Sequence, residues 1–177
     1  MADKEALRAL QNRLAQRLQE ARSTVRGRAW LAVECGGRGL LFPLQEAGEI
    51  FSMAPVSGIS HAQPWFLGVA NLRGQLHGVV DLAGFLGLAA VADGRDQAML
   101  VGFNTSFDVN SALLVDRLAG LRGEDQLSAE AGASPAPSSP SAPSFAGPRW
   151  CDADGRVWQE ISLARLVRHP AFLKIVR

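Results

Sequence analysis

The most informative part of the sequence is Gly68-Val69-Ala70-Asn71-Leu72-Arg73-Gly74-Gln75-Leu76-His77-Gly78-Val79-Val80-Asp81-Leu82. Two apolar arms flank Arg73-Gly74, so the pattern predicts a β-hairpin with these two residues at its turn. Glycine supplies backbone angles that other residues resist, and the arginine beside it is held in solvent as a planar, permanently charged fork. A guanidinium at the tip of an apolar hairpin is suited to binding a carboxylate of another protein. Asp81 is the predicted start of a short helix.

Short β-strands separated by glycine and proline turns continue on both sides of this hairpin. The pattern predicts a first hairpin that joins Trp30–Glu34 to Leu40–Leu44. It also predicts strands over residues 49–53, 56–59, 97–103, 109–115, 149–151 and 157–161, one helical turn over 45–48, a short helix over 81–87, and a closing helix over 163–176 broken at Pro170. Many short strands with only short helices between them favour a mainly β fold, either small barrels or a sandwich.

Two segments differ in composition from this β region. Residues 1–28 are predicted to form a helical extension, because leucines recur at helical spacing at Leu7, Leu10, Leu14 and Leu18. That apolar stripe either docks onto its own domain or pairs with a helix of a partner. Residues 128–148 are dominated by Ser, Ala and Pro, and they bury too little apolar surface to offset the entropy of ordering. We therefore predict a flexible loop there.

The composition is that of an ordinary soluble domain and excludes several classes of partner. Of the 177 residues, 47% are hydrophobic and 20% are charged, and the formal net charge is +1. So small a charge gives no strong field, and we expect neither nucleic acid nor an anionic membrane surface as the main partner. No apolar run approaches the roughly 20 residues that span a bilayer, and the N-terminus lacks the apolar core of a secretory signal. Cys35 and Cys151 are expected to be reduced thiols of a cytoplasmic protein.

The sequence offers no constellation typical of catalysis. It contains no tyrosine, and its two lysines lie near the termini. His61, His77 and His169 are far apart and fit no metal-ligand spacing. Gly36–Gly39 lacks the lysine of a phosphate-binding loop, and Asp152–Gly155 lacks the later oxygen ligands of a calcium loop, so both are interpreted as hairpin turns. We expect no catalytic residue, no metal site and no cofactor.

Three blocks of sequence follow one another in order: Pro43-Leu44-Gln45-Glu46-Ala47-Gly48-Glu49-Ile50, Pro64-Trp65-Phe66-Leu67-Gly68-Val69-Ala70-Asn71-Leu72-Arg73-Gly74, and Val79-Val80-Asp81-Leu82. Their order and spacing resemble the CheW family of chemosensory coupling adaptors, for which Gly-Val-x-Asn-Leu-Arg-Gly is a fairly specific signature. Leu113–Leu118 resembles a late strand of that family, and Ile161–Leu166 resembles its closing strand-to-helix step. The resemblance covers roughly residues 29–170. The ending His169-Pro170-Ala171-Phe172-Leu173 is most similar to the PilI branch, the adaptors attached to type IV pilus control.

The resemblance implies a fold and a function. The fold is mainly β, a CheW-like domain over residues 29–177 made of two small five-stranded SH3-like barrels packed around a hydrophobic groove, with short helices. The function is a non-catalytic adaptor at membrane-associated receptor arrays, in control of twitching motility. It would bind the cytoplasmic tip of a methyl-accepting chemotaxis receptor and, on another surface, the regulatory domain of a CheA-type histidine kinase. The residues of the kinase-binding surface stay unassigned.

The receptor-facing residues of the family fall on Glu49, Gly68 and Arg73, with Asn71 and Leu72 framing the same turn. Arg73 would bind an acidic receptor side chain, Gly68 would let a helix approach the strand closely, and Glu49 would pair with a receptor cation or hold Arg73 in place. Two alternatives stay open from the residues alone. Arg73 can bind Glu49 or Asp81 within the chain, and Gly68 can mark a strand bulge.

Other functions also stay open. A flagellar chemotaxis adaptor fits the same residues. An interaction module with a non-receptor partner, reached through the N-terminal helix, would lose that partner on deletion of residues 1–26 but not on substitution of Arg73. An enzyme or small-ligand barrel would need a deep polar pocket with convergent ionisable groups.

Overall fold

The structure is a computed structural model, and it describes residues 27–89, 95–130 and 142–177. The helical extension predicted over residues 1–28, apart from its last two residues, and the middle of the segment 128–148 lie outside these ranges. Within them the fold is mainly β, as the sequence predicts.

The described strands are β1 (Ala29–Cys35), β2 (Arg38–Pro43), β3 (Ala47–Ser52), β4 (Val56–Ser57), β5 (Phe66–Leu72), β6 (Gln75–Asp81), β7 (Met99–Phe103), β8 (Ser111–Val115), β9 (Arg117–Gly123), β10 (Leu127–Ala129), β11 (Ala146–Asp152) and β12 (Val157–Ile161). The described α-helices are single turns, α1 (Leu82–Phe85), α2 (Leu163–Leu166) and α3 (Pro170–Leu173). Short 3-10 helices cover Arg95–Gln97, Thr105–Phe107 and Glu124–Gln126.

These strands form two six-stranded sheets in the described part of the chain. The first sheet has the order β10-β11-β12-β2-β1-β9, and the second has the order β3-β7-β8-β6-β5-β4. The chain therefore starts the first sheet, builds the whole second sheet, and returns to complete the first. The five-stranded barrels implied by the resemblance correspond to the five longer strands of each sheet. The sixth strand is three-residue β10 in one sheet and two-residue β4 in the other.

Strand β1 shows why apolar and polar residues do not alternate in the apolar segments of the sequence. Leu31 and Val33 point into a central core that also receives Phe66 and Val101 from the second sheet. Their neighbour Trp30 points the other way, into a smaller core that belongs to the first sheet alone. Successive side chains of a strand alternate between its two faces, so a strand covered on both faces must be apolar throughout. The second sheet likewise keeps a small core of its own.

The decisive hairpin forms as predicted. Strands β5 and β6 pair antiparallel, and Leu72 faces Gln75 across a two-residue turn made by Arg73 and Gly74. Asp81 ends β6 and caps α1, because its carboxylate accepts a hydrogen bond of 3.3 Å from the Gly84 N–H.

The structure corrects the sequence prediction in two helical places. Residues 47 and 48 already belong to β3 rather than to a helical turn, because Ala47 pairs with Phe103 of β7. The closing helix over 163–176 is two single turns that end at Leu173. Beyond Leu173 the chain is no longer helical, and Val176 forms an isolated β-bridge with Ala62.

The segment 128–148 is also more ordered at its ends than its composition predicts. Ser128 and Ala129 pair with Cys151 and Trp150 of β11, which itself begins at Ala146. Phe145 is only 4% exposed and packs in the central core. One aromatic side chain buries enough apolar area to order the backbone next to it.

Among the described residues, no helix is long and apolar enough to cross a membrane.

Candidate functional site

The candidate site is built around the turn at the tip of the β5–β6 hairpin. Arg73 has φ of 50° and Gly74 has φ of 83°. Two-residue hairpin turns with positive φ at both central positions match the right-handed twist of the strands they join. Glycine adopts such angles freely, whereas an arginine there costs roughly 1–2 kcal/mol. The hairpin therefore holds a long cationic side chain in a conformation that Asn or Gly would adopt with less strain.

Asn71 stabilises this turn from the strand that precedes it. Its side-chain oxygen accepts a hydrogen bond of 2.8 Å from the Gly74 N–H. Leu72 is only 4% exposed and packs beneath the turn in the core of the second sheet. Asn71 and Leu72 thus frame the turn, as the sequence predicts, and Leu72 offers almost no surface to a partner.

Glu49 reaches the turn from β3 because of an irregularity in that strand. The register between β3 and β7 shifts between Ala47 and Ile50. A side chain at Gly48 would collide with the backbone of Phe103, since its Cβ would lie 2.2 Å from the carbonyl oxygen. Bulges of this kind redirect the side chains next to them. The bulge leaves Glu49 exposed at the edge of the sheet, facing the hairpin tip.

Glu49 and Arg73 form an ion pair through Arg73 Nη1 and Glu49 Oε1. The structure decides between the two intramolecular partners left open by the sequence, because the carboxylate of Asp81 caps α1 instead. Phe51 lies beneath the guanidinium, with the Arg73 Cζ 5.9 Å from its ring centroid. His77 also packs against Phe51, at a centroid distance of 5.6 Å.

The ion pair between Glu49 and Arg73 is exposed, so it is accessible to a partner. The side chains of Arg73 and Glu49 are 73% and 46% exposed. Exposed pairs contribute about 0.2–1 kcal/mol, so another carboxylate can replace Glu49 at little cost. One guanidinium nitrogen contacts Glu49, and the other two stay available for a second, bidentate acceptor. The arrangement is suited to binding an acidic group of a partner.

A groove of about 220 Å³ opens beside the pair and is lined in part by Phe51, Leu72 and His77. Phe51 and His77 were not singled out from the sequence. Phe51 belongs to an ordinary apolar strand pattern, and only its place under the Arg73 guanidinium gives it a role at the surface. Leu76, 66% exposed on the same hairpin, adds an apolar side chain near the tip.

Contacts within the chain explain why a glycine occupies position 68. It lies at a register shift between β5 and β6 and has φ of 134°. An added Cβ would lie 2.0 Å from the carbonyl oxygen of Ser57 in β4. The bulge that the sequence left open is therefore present, and the neighbouring backbone of β4 requires a glycine here. The receptor contact of Gly68 stays a prediction.

The remaining candidate chemistry lies apart from this site. No group of three or more His, Cys, Asp or Glu side chains that could hold a metal ion occurs in the described ranges. Cys35 and Cys151 are both free thiols. Burial, together with the charges of Asp116 and Asp81, raises the pKa of the Cys35 thiol to about 12.

Comparisons with known proteins identify the family and the fold of this chain. A family model described as the CheW-like domain matches residues 29–171. Protein PilI of Pseudomonas aeruginosa is 31% identical over 110 residues, which are 62% of this chain and 61% of that protein. The scaffolding protein TtCheW from Thermoanaerobacter tengcongensis has a crystal structure that matches with a TM-score of 0.58 at 15% identity, over 76% of this chain and 88% of that one.

These findings confirm the resemblance drawn from the sequence and the CheW-like, two-barrel fold that it implied. The aligned part of the chain spans about three-fifths of the PilI relative. The family match covers every described strand and includes both Glu49 and Arg73. The chain therefore belongs to the CheW-like domain family, with sequence similarity to its PilI branch.

Proposed function

We propose that this protein is a non-catalytic adaptor of a chemosensory array in the cytoplasm, and that it couples methyl-accepting receptors to a CheA-type histidine kinase. Membership of the CheW-like family supports a scaffolding role, and similarity to PilI supports control of type IV pilus motility. In this role the protein favours one arrangement of receptor and kinase over another, and no reaction takes place on the adaptor itself.

The observation that carries the receptor contact is the exposed Glu49–Arg73 pair at the hairpin tip. Arg73 binds a carboxylate on the cytoplasmic tip of the receptor with the two nitrogens that Glu49 leaves available. Glu49 holds the guanidinium over Phe51 before the receptor arrives, so less side-chain entropy is lost on binding. Asn71 keeps the turn in shape, and exposed Leu76 adds apolar contact beside it.

The test is co-purification of partners from a native lysate with wild-type protein and with Arg73→Glu. We expect the wild-type protein to recover a chemoreceptor and a CheA-type kinase, identified by mass spectrometry. Arg73→Glu reverses the charge at the tip and should lose the receptor by at least about tenfold while the kinase is retained.

Arg168→Glu is the matched control, since Arg168 is exposed on the segment between α2 and α3, away from the hairpin. It introduces the same change of charge and should retain both partners. Recovery of neither partner by folded wild-type protein would contradict the adaptor role. Equal loss of the receptor in both variants would contradict the assignment to Arg73.

A further inference from the structure

A second groove lies on the first sheet and is distinct from the Arg73 turn. It has a volume of about 700 Å³, and its charged lining residues are Arg38, Arg149 and Arg156. Among the described residues that line it there is no carboxylate. We call this cavity the arginine groove. Three cations converge on one concavity whose described lining contributes no acid, and this arrangement indicates a site for an anion.

The three arginines converge because of the strand order. Arg38 begins β2, Arg149 lies within β11, and Arg156 directly precedes β12, and these three strands are neighbours in the sheet. The register pairs Arg149 with Gln159, and Gln159 with Leu40, which is two residues from Arg38. Residues that are paired across strands, or two apart along one strand, share a face. The sheet itself therefore places Arg38 and Arg149 on one face, and Arg156, in the turn before β12, completes the charged lining of the groove.

Two of the three guanidinium groups are held in place before any ligand arrives. Arg156 Nη1 lies 2.6 Å from Glu34 Oε1, and the Arg156 Cζ lies 4.5 Å from the ring centroid of Trp158. Arg149 Nε lies 3.1 Å from Glu130 Oε2. Each carboxylate contacts one nitrogen and leaves the other two for a ligand. Within the described ranges Arg38 forms no ion pair, so its charge is uncompensated there.

Two glycines without side chains form part of the lining of the groove. Gly37 and Gly39 lie on the lining beside Arg38. At Gly39 a Cβ would lie 2.6 Å from the ring of Trp158, so this position stays without a side chain. The volume of the groove falls in the range of about 300–1,000 Å³ that is typical of small-molecule sites.

We propose that the arginine groove binds a small, soluble phosphate-bearing ligand the size of a nucleoside diphosphate. Guanidinium forks match phosphate oxygens bidentately, and three forks around one cavity suit a compact group with several anionic oxygens. An extended acidic peptide would instead be matched by cations spread along a strand edge. This site does not depend on the receptor contact, because it lies on the other sheet.

Isothermal titration of the full chain with inorganic pyrophosphate and with ADP, at low ionic strength, tests the proposal. We expect saturable binding with one site per chain, and tighter binding of ADP if the groove also holds the nucleoside. Arg38→Gln and Arg149→Gln should each weaken binding by about tenfold or more, since each removes charge-assisted hydrogen bonds. Arg168→Gln, an exposed arginine outside the groove, should change the affinity by less than about twofold.

Arg38→Gln is the more telling variant, because it breaks no ion pair among the described residues and leaves the fold intact. Absence of saturable binding of both probes would overturn the proposal. So would equal weakening by Arg38→Gln and Arg168→Gln, which would indicate diffuse charge attraction. Arg73→Glu should bind the probes normally, so failure of the receptor assignment and failure of the arginine groove are distinguishable.

Discussion

Phe51 and His77 lie with their ring centroids 5.6 Å apart, although β7 and β8 separate their strands in the sheet. Neighbouring strands are about 4.8 Å apart, so a flat sheet would place β3 and β6 about 14 Å apart. The second sheet therefore curves strongly enough to bring its β3 edge back toward β6. This curvature places Glu49 beside the Arg73 turn, and the candidate site exists only because the sheet curls.

Arg73 is expected to contribute little to stability, because its exposed ion pair offsets only part of its backbone strain. Arg73→Asn places a residue that tolerates positive φ in the turn, and we expect the free energy of unfolding to stay equal or rise by up to about 1 kcal/mol. Arg73→Val removes the same charge but adds a β-branched residue, and it should cost about 1–2 kcal/mol. Urea unfolding followed by fluorescence compares the two. A large loss with Asn would mean that Arg73 supports the fold.

Gly68→Ala is expected to be severely destabilising. The added methyl group collides with the Ser57 carbonyl, and the φ of 134° disfavours any side chain, so we expect a loss of at least about 3 kcal/mol. Gly37→Ala is the matched control, since Gly37 has φ of 73° but nothing within 4 Å of an added Cβ. Its loss should be near 1 kcal/mol, measured by the same denaturant titration. Equal losses would show that strain alone, and not the approach of β4, explains Gly68.

Phe145→Ala tests the correction made to the segment 128–148. Phe145 is 4% exposed in the central core and lies with its ring centroid 5.8 Å from that of Phe85. Its truncation should cost about 3–5 kcal/mol by calorimetry or denaturant unfolding. Ser144→Ala, one residue earlier and exposed, should change stability by less than about 0.5 kcal/mol. A loss below about 1 kcal/mol for Phe145→Ala would restore the view that the whole segment is a flexible loop.

The stability contributed by Glu34 should depend on pH. Burial opposes its ionisation, but hydrogen bonds and charge interactions from Arg156 and Arg117 outweigh that effect, so the pKa of Glu34 is lowered from its usual 4.5. A lowered pKa adds stability that is fully present above the unfolded pKa and is lost as the pH falls through the folded pKa. The difference in unfolding free energy between wild type and Glu34→Gln should therefore shrink as the pH falls from about 6 through the lowered pKa of Glu34. A constant difference would show that the two arginines do not hold the carboxylate ionised.

The sequence predicted the local features of the site, but it did not predict which residues distant in sequence lie next to each other there. Gly74 and the apolar arms are enough to predict the hairpin and its tip, because turn chemistry is local. The choice between Glu49 and Asp81 as the partner of Arg73 depends on sheet curvature, which involves residues far apart in sequence. Phe145 was missed for a related reason. The average composition of a segment rich in Ser, Ala and Pro hides the contribution of one aromatic residue. The burial of that residue depends on a core formed by strands distant in sequence.

The second sheet is inserted between strands of the first sheet, so the two sheets become complete at different times during synthesis. All strands of the second sheet lie between Ala47 and Val115, so that sheet is complete in sequence once β8 has left the ribosome. Strands β1 and β2 emerge earlier, yet β1 must wait for β9, and β2 must wait for its parallel partner β12. Such distant pairings close slowly because of the entropy of the intervening chain. We therefore expect a nascent chain stopped after β8 to keep the face of β1 that carries Trp30 uncovered, because its partners Leu127 and Trp158 are not yet made.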